Sequence, residues 1–569
     1  TIITRRDIED SGYATVQQAL EAQPGVSING TGPNDRQVRI RGGEANQTLI
    51  LVDGVRVDAG STAGYNLRSL DVAGIQRIEV LRGPQSVPFG TGASSGVINI
   101  VTREAGEGTA VGAEAEVGEG HRESAYATYG DSRKTFSFTA SNYYDEGYDF
   151  SGNGGERDST RWKTITSKGE YSLTNSVTVG FSTRFADSDY DFDALDDDAE
   201  RASDYVVDDP ELQNRLLERN GRLFLDAKMF GRTIAHRFGV DETSNQSVST
   251  SDQRTEVISY RLQYAPDGRQ VSASNHLLTA LLERKKDTED ASTEQRVNES
   301  AAIEYNGFPS PEVGVQAAAR FDESDQFDDT LSWNAALSYN ATRRLRLQSS
   351  LGRAVVYPTF LQVYGGTFFF DGFPIRFFGN ENLEVETNTG IDAGFEYTIG
   401  EKGGVGLVYF REELENEINA NSDNEFINSE GESDRQGVEL TGRFILTDHL
   451  SFRGNYTYIE SLNASGEQEA RRPENELGLG ARYQARGLPL TLDGNARYVK
   501  GLVDAEGFGD FETKELPSYT IMDFSGKYQL KKNVALTARV TNAFDEDYQE
   551  VLGFQARGRA AYVGIRTQW

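Results

Sequence analysis

From about residue 110 onward, apolar and polar positions alternate over long stretches. In Ser176–Ala186, Val177, Val179, Phe181 and Phe185 fall on one face, and Ser176, Thr178, Ser182 and Arg184 on the other. Gly390–Ile399, Thr135–Tyr144 and Asn533–Val540 repeat the pattern. A period of two is the signature of a β-strand with two unlike faces. Strands of soluble sandwiches run ~5–6 residues. Here several runs reach about ten, the length of a tilted strand crossing a bilayer. The intervening acidic and Gly-rich stretches, such as Asp145–Arg157 and Asn419–Arg435, read as surface loops. The first hundred residues have another texture. Asp7–Glu21 reads as a helix, with Val16 and Leu20 one turn apart and Pro24-Gly25 as its stop. Short apolar runs follow at Val38–Ile40, Leu49–Val52, Ile75–Leu81 and Val97–Val101, and Asp53-Gly54 is a hairpin signal.

Length turns this pattern into an architecture. The chain has 569 residues, so about 460 follow the first domain. Twenty-two strands would take about 21 residues each, loops included, whereas eight would leave about 45 per strand. A barrel of ~22 strands has a lumen wide enough to need a plug. The expected fold is therefore an all-β transmembrane barrel of about 22 antiparallel strands, residues 106–569, with an α+β plug domain, residues 1–105, inside the lumen. The 26 Tyr and 30 Phe suit aromatic girdles in contact with outer-membrane lipid. No blade-length repeat supports a propeller. No apolar run approaches a membrane helix.

Composition removes other classes. A net charge of −32 disfavours a nucleic-acid partner. The absence of Cys excludes thiolate metal sites, and the four His are scattered. Gly92-Ala-Ser94-Ser-Gly96 matches the nucleophile-elbow pattern, but it precedes a strand-like run and lacks a His partner. It reads as a Gly/Ser turn, and the chain is expected not to be an enzyme. The chain opens on Thr1 rather than Met, which predicts a processed product.

Val38–Gly43 (VRIRGG), Leu49–Val57 (LILVDGVRV) and Ile75–Arg103 (IQRIEVLRGPQSVPFGTGASSGVINIVTR) resemble the plug of TonB-dependent outer-membrane receptors. Gly379–Glu386, Arg435–Leu440 and Leu516–Trp569, which ends on an aromatic residue, resemble that family's barrel. The resemblance implies energy-coupled import of a scarce, large solute across the bacterial outer membrane by a monomer. The partner would be the periplasmic protein TonB, engaging a segment upstream of Thr1. Independently, Arg39, Arg41, Arg77, Arg82 and Arg103 are numerous for an enclosed domain. Wall carboxylates such as Asp392, Glu396 and Glu439 are expected to face them.

Within the family, the size and plug spacing look most like the vitamin B12 (cobalamin) receptors. That likeness implies ligand contact from two apex loops, Gly30–Gln37 and Asp58–Ser69, with Asn34, Asp35, Arg36, Thr62, Tyr65 and Asn66 as candidates. Plain turns are the alternative. The dense aromatic stretch Thr367–Phe378 adds Phe369, Phe370, Phe373 and Arg376 as candidates for a macrocyclic or aromatic ligand; loop–loop packing is the alternative. Asp187, Asp189, Asp191 and Asp193 alternate, with Asp204, Asp208 and Asp209 nearby. Clustered carboxylates repel unless a cation sits among them, and oxygen-only ligands suit calcium. Cobalamin receptors order their loops with such a cluster, so calcium is the expected cofactor. A solvated acidic loop is the alternative. An EF-hand is rejected, because Ala194 stands where Gly is required.

A ferric siderophore is the alternative ligand. It would want a basic pocket, which Arg36, Arg68 and Arg376 would supply. The resemblance disfavours haem, because haem receptors of the family place a His between the segments matching Arg353 and Leu383, and none lies there. A different metal chelate or an oligosaccharide stays open. So do an outer-membrane enzyme, a passive porin and a surface adhesin.

Overall fold

The computed structural model describes residues 1–30, 36–59, 64–152, 154–195, 206–247, 252–290, 294–370, 373–421, 423–505 and 513–569. Its barrel is closed, with 22 strands all paired antiparallel to their neighbours. The first, Gly108–Gly118, pairs with the last, Ala560–Gln568, so no edge is left open.

The barrel inverts the usual distribution of side chains. In Gly108–Gly118, Glu114 and Glu116 are buried while Val111 and Val117 are exposed. In Val177–Asp191, Arg184, Ala186 and Ser188 face inward, and Phe185 faces out. An apolar exterior with a charged interior is what a barrel in lipid requires, because lipid rewards apolar groups on the outer face only. Among the described residues, no helix is long and apolar enough to cross a membrane. Connections at one barrel end are short, such as 173–176, 448–449 and 532–533; those at the other include 192–212, 357–385 and 542–559. Transmembrane barrels keep short turns on the periplasmic side and long loops outside.

The plug fills the lumen with its own apolar core. A five-stranded sheet runs in the order Ile2–Thr4, Ile75–Arg82, Gly96–Thr102, Thr48–Val52, Val55–Arg56. Thr48–Val52 and Gly96–Thr102 pair in parallel. Ile28, Ile40, Ile50, Ile78 and Ile98 meet Val16 and Leu20 in one buried cluster. The Asp53-Gly54 hairpin forms with both residues at positive φ, 50° and 80°, the geometry of a two-residue turn. The helix expected over Asp7–Glu21 is two, Arg5–Ser11 and Val16–Glu21. Gly12 adopts φ 73° and ends the first, and Thr15 caps the second. The stretch Asn419–Arg435 is not loop throughout: Phe426–Asn428 pairs with Ile418–Ala420, and a barrel strand starts at Glu432.

Candidate functional site

The plug is held to the wall by charge and hydrogen bonds rather than by apolar packing. Arg41 forks onto Glu439, with Nε 2.9 Å from Oε1 and Nη2 3.2 Å from Oε2. Its Nη1 lies 2.5 Å from Asp392 Oδ1, and its guanidinium sits 4.4 Å over the Phe410 ring. Arg82 Nε reaches the same Glu439 at 3.5 Å and donates to the Pro24 carbonyl at 3.0 Å. Elsewhere on the junction Lys168 pairs with Asp53 at 3.1 Å, Arg566 with Glu9 at 3.0 Å, and Arg472 with Glu44. Of the other expected contacts, Glu396 pairs with Arg346 on the wall. Arg39 and Arg77 pair within the plug, with Glu44 at 3.6 Å and Glu79 at 2.6 Å. Arg103 stacks 3.6 Å over Tyr126. Between the plug helices and the wall lies a cavity of about 550 Å³, lined by Glu21, Arg36, Arg453, Arg497 and Tyr548 among others.

At the apex, Asn34, Asp35 and Thr62 lie outside the described residues. Arg36 is nearly sealed, and its Nη1 donates to Glu550 of the loop 542–559. Glu550 also lies 3.5 Å from Arg497 of the wall. Tyr65 is buried against the wall: its hydroxyl donates to Glu218 Oε1 at 2.6 Å, beside Ser69, and Arg184 closes the set at 3.2 Å from Glu218. Asn66 precedes the turn Leu67–Ser69, and its buried Oδ1 has no partner. Phe369, Phe370 and Phe373 belong to a hairpin, Gly366–Phe370 with Phe373–Phe377, whose side chains there are outside the described set. Arg376 is exposed and stacks 5.3 Å over Phe378. Phe377 stacks on Phe426 of the neighbouring loop at 5.2 Å. Arg36 and Arg376 are thus engaged separately, and Arg68 has no described side chain.

The acidic stretch divides. Asp187 and Asp189 share a face, but it is the outer one, where Arg215 holds Asp187 at 2.8 Å and Asp189 at 3.6 Å. Asp191 accepts from Ser159, N–H at 3.2 Å and Oγ at 2.7 Å. Asp209 accepts the Glu211 N–H and gives its own N–H to Asp193. Asp193 and Asp208 are brought together, with Glu156 as the third member. Carboxylate oxygens of the three lie within 4.8 Å of one another. Glu156 arrives from loop 146–159, along with Asp158; both escaped the sequence reading, because only the fold brings that loop to 192–212. Asp158 and Asp193 are each 1% exposed, and Asp158 Oδ1 and Asp193 Oδ2 lack any partner. Burial, then the Asp193 charge, pushes Asp158 up to about 8. Burial likewise raises Asp193 to about 6, and burial with the Asp208 hydrogen bond raises Glu156 to about 7. Converging carboxylates that include a buried oxygen without a partner, Asp193 Oδ2, suit a hard cation. The same two loops meet 542–559 in an apolar cluster of Phe150, Val206, Val551 and Phe554, next to Glu550.

Ser94 is fully buried, and strand Gly96–Thr102 follows it. No helix follows to make an elbow.

A lipid-facing barrel whose charged lumen is filled by an N-terminal domain on polar anchors defines a plugged outer-membrane transporter. Residues 109–543 match the family model "TonB dependent receptor-like, beta-barrel", and residues 1–97 match "TonB-dependent Receptor Plug Domain". The chain belongs to the TonB-dependent receptors. It is a bacterial outer-membrane transporter and not an enzyme. Among solved structures, it is similar to a variant of the ferric enterobactin receptor PfeA from Pseudomonas aeruginosa bound to enterobactin, at 19% identity. The TM-score is 0.83, covering 100% of this chain and 99% of that one. The siderophore receptor PirA from Acinetobacter baumannii matches at 18% identity and TM-score 0.81, covering 100% and 98%. The ferripyoverdine receptor of Pseudomonas aeruginosa matches at 13% and 0.80, covering 100% and 86%. At these identities the likeness is one of fold.

Proposed function

We propose that the solute imported is a ferric siderophore. The observation that carries this reading is the match along the whole chain to receptors named for enterobactin, pyoverdine and siderophores. Physical support comes from the lumen. A protein of net charge −32 nonetheless places guanidinium groups in its lumen gaps, Arg36, Arg453 and Arg497 in the larger and Arg237 and Arg261 in a smaller one, where an anionic chelate would meet them. The test is uptake of radiolabelled ferric enterobactin and ferripyoverdine by receptor-deficient cells making the full protein. Uptake that stops when TonB is removed supports the reading. No uptake of either chelate, with cyanocobalamin taken up instead, overturns it.

Cobalamin is the second reading, favoured by one observation: the carboxylates of Glu156, Asp193 and Asp208 at the extracellular end. In that reading they hold calcium, with Asp158 completing the shell, and so fix the loops over the ligand. Calorimetry of cyanocobalamin binding in calcium and then in EDTA tests it. Tight binding weakened by EDTA supports both cobalamin and calcium, and no binding in calcium removes cobalamin.

A further inference from the structure

A second, smaller gap separates plug and wall on the side of strands Gln213–Met229 to Val313–Ser324. It has a volume of about 200 Å³ and is bounded on the plug side by Gly54, Arg56 and Pro88–Thr91. Six cationic side chains line it against three carboxylates. Most of the cations are already paired. Arg222 forks onto Asp241 at 2.6 and 2.5 Å, and Arg237 onto Asp226 at 2.6 and 2.7 Å. Arg320 gives Nε to Asp322 and Nη2 to Glu283, both at 2.8 Å.

Two groups remain. Arg261 has no ion pair or hydrogen bond among the described residues. Its direct cross-strand neighbour is Arg237. Like charges placed opposite one another on a sheet destabilise it. Val257, Ser259 and Arg261 line the gap while Ile258 and Tyr264 are exposed to the outside, so the strand's alternation fixes Arg261 on the lumen side. Arg320 is 3% exposed, and its Nη1 is buried with no acceptor. That N–H is sealed from the gap, whereas Arg261 is exposed to it and stands directly opposite Arg237, so a group entering the gap meets two adjacent guanidiniums.

We propose that this gap is an anion subsite, taking a carboxylate, catecholate or similar oxyanion group, with Arg261 as its main ligand and Arg237, its cross-strand neighbour, as the second guanidinium. Arg237 follows the short turn 230–233 and Arg261 stands near the opposite end of its own strand, so the site is close to the periplasmic rim. An anionic solute leaving beside Gly90 would meet it last. This exit role rests on the reading of the solute as a ferric siderophore; the anion site itself does not.

The test has two arms. Crystals of the full protein soaked in sodium bromide are expected to show an anomalous bromide peak between Arg261 and Arg237, lost in Arg261→Gln. Because Arg261 has no partner to lose, that variant keeps the fold, and Arg261→Lys restores the peak. No peak in the wild type overturns the subsite. In cells, Arg261→Gln is expected to slow ferric enterobactin uptake about tenfold, the scale of one charge-assisted hydrogen bond, with surface binding to de-energised cells unchanged and Arg261→Lys recovering the rate. Wild-type uptake by Arg261→Gln, despite a bromide peak, means an adventitious ion only and overturns the exit role. If no ferric chelate is taken up at all, the siderophore reading fails while the bromide arm still decides the site.

Discussion

Replacing Glu439 by Gln tests the claim that the plug is seated by charge. Glu439 is the carboxylate shared by two plug guanidiniums, Arg41 through 2.9 and 3.2 Å contacts and Arg82 at 3.5 Å. Gln keeps the shape but removes the charge. Arg41 keeps Asp392, and Arg82 keeps the Pro24 carbonyl, so neither is left bare. Breaking one side of a buried pair costs ~3–5 kcal/mol, and the remaining partners put this case at the lower end, ~3 kcal/mol. That is on the order of 100-fold in the equilibrium for local plug opening. Alanine at Arg41 would be a poorer probe, because it also removes the contact with Asp392 and the stacking on Phe410. The assay is native-state hydrogen exchange of the Arg41 and Gly43 amides, which donate to the Gly25 and Ile40 carbonyls at 2.9 Å each. The barrel strands serve as the internal control and should not change. A loss below ~0.5 kcal/mol would place the pair with exposed ion pairs of little worth, and the charge-seated plug would be refuted.

The same exchange measurement should register Gly43→Ala, because a Cβ there would stand 2.0 Å from Ser95 Oγ and 2.5 Å from its Cβ. Overpacking of this kind costs ~1–3 kcal/mol, and adding Ser95→Gly should recover most of it. Glu218→Gln removes the charge and one of the two acceptor oxygens on which Tyr65, Ser69 and Arg184 converge. We expect it to raise proteolysis within 64–70 severalfold, as the loss of a charged acceptor worth ~1.5–3 kcal/mol would. If calcium occupies the Glu156–Asp193–Asp208 set, EDTA should speed cleavage of loop 146–159, and Asp193→Asn should be cut equally fast with or without calcium. Unchanged cleavage in the wild type on adding EDTA would count against the metal.

What was legible in the sequence is what lipid and core enforce residue by residue. Lipid rewards apolar groups on one face only, so Val177, Val179, Phe181 and Phe185 announce their strand without help from distant residues. The plug core is legible for the same reason: Ile78, Ile98 and Ile100 lie in runs that need burial. The wall partners of Arg41 were readable in kind, since an enclosed guanidinium must find a carboxylate, and in part by residue: Asp392 and Glu439, though not Glu396. The acidic stretch was legible only in part, for an instructive reason. The period of two places Asp187 and Asp189 on one face, and the structure agrees, but Phe181 and Phe185 share that parity. In a membrane strand, the parity of the lipid-facing aromatics also fixes which side of the wall a later carboxylate occupies. Asp187 and Asp189 were therefore assigned to the outside by their own strand, where Arg215 meets them. Only beyond the strand end does that constraint lapse, and it is there that Asp193 turns inward to meet Glu156 and Asp208. The partners it finds come from another loop, just as Arg36 finds Glu550 across 514 residues of chain. No local pattern encodes such contacts, so the clusters at the loop end of the barrel are the part that only the closed fold assembles.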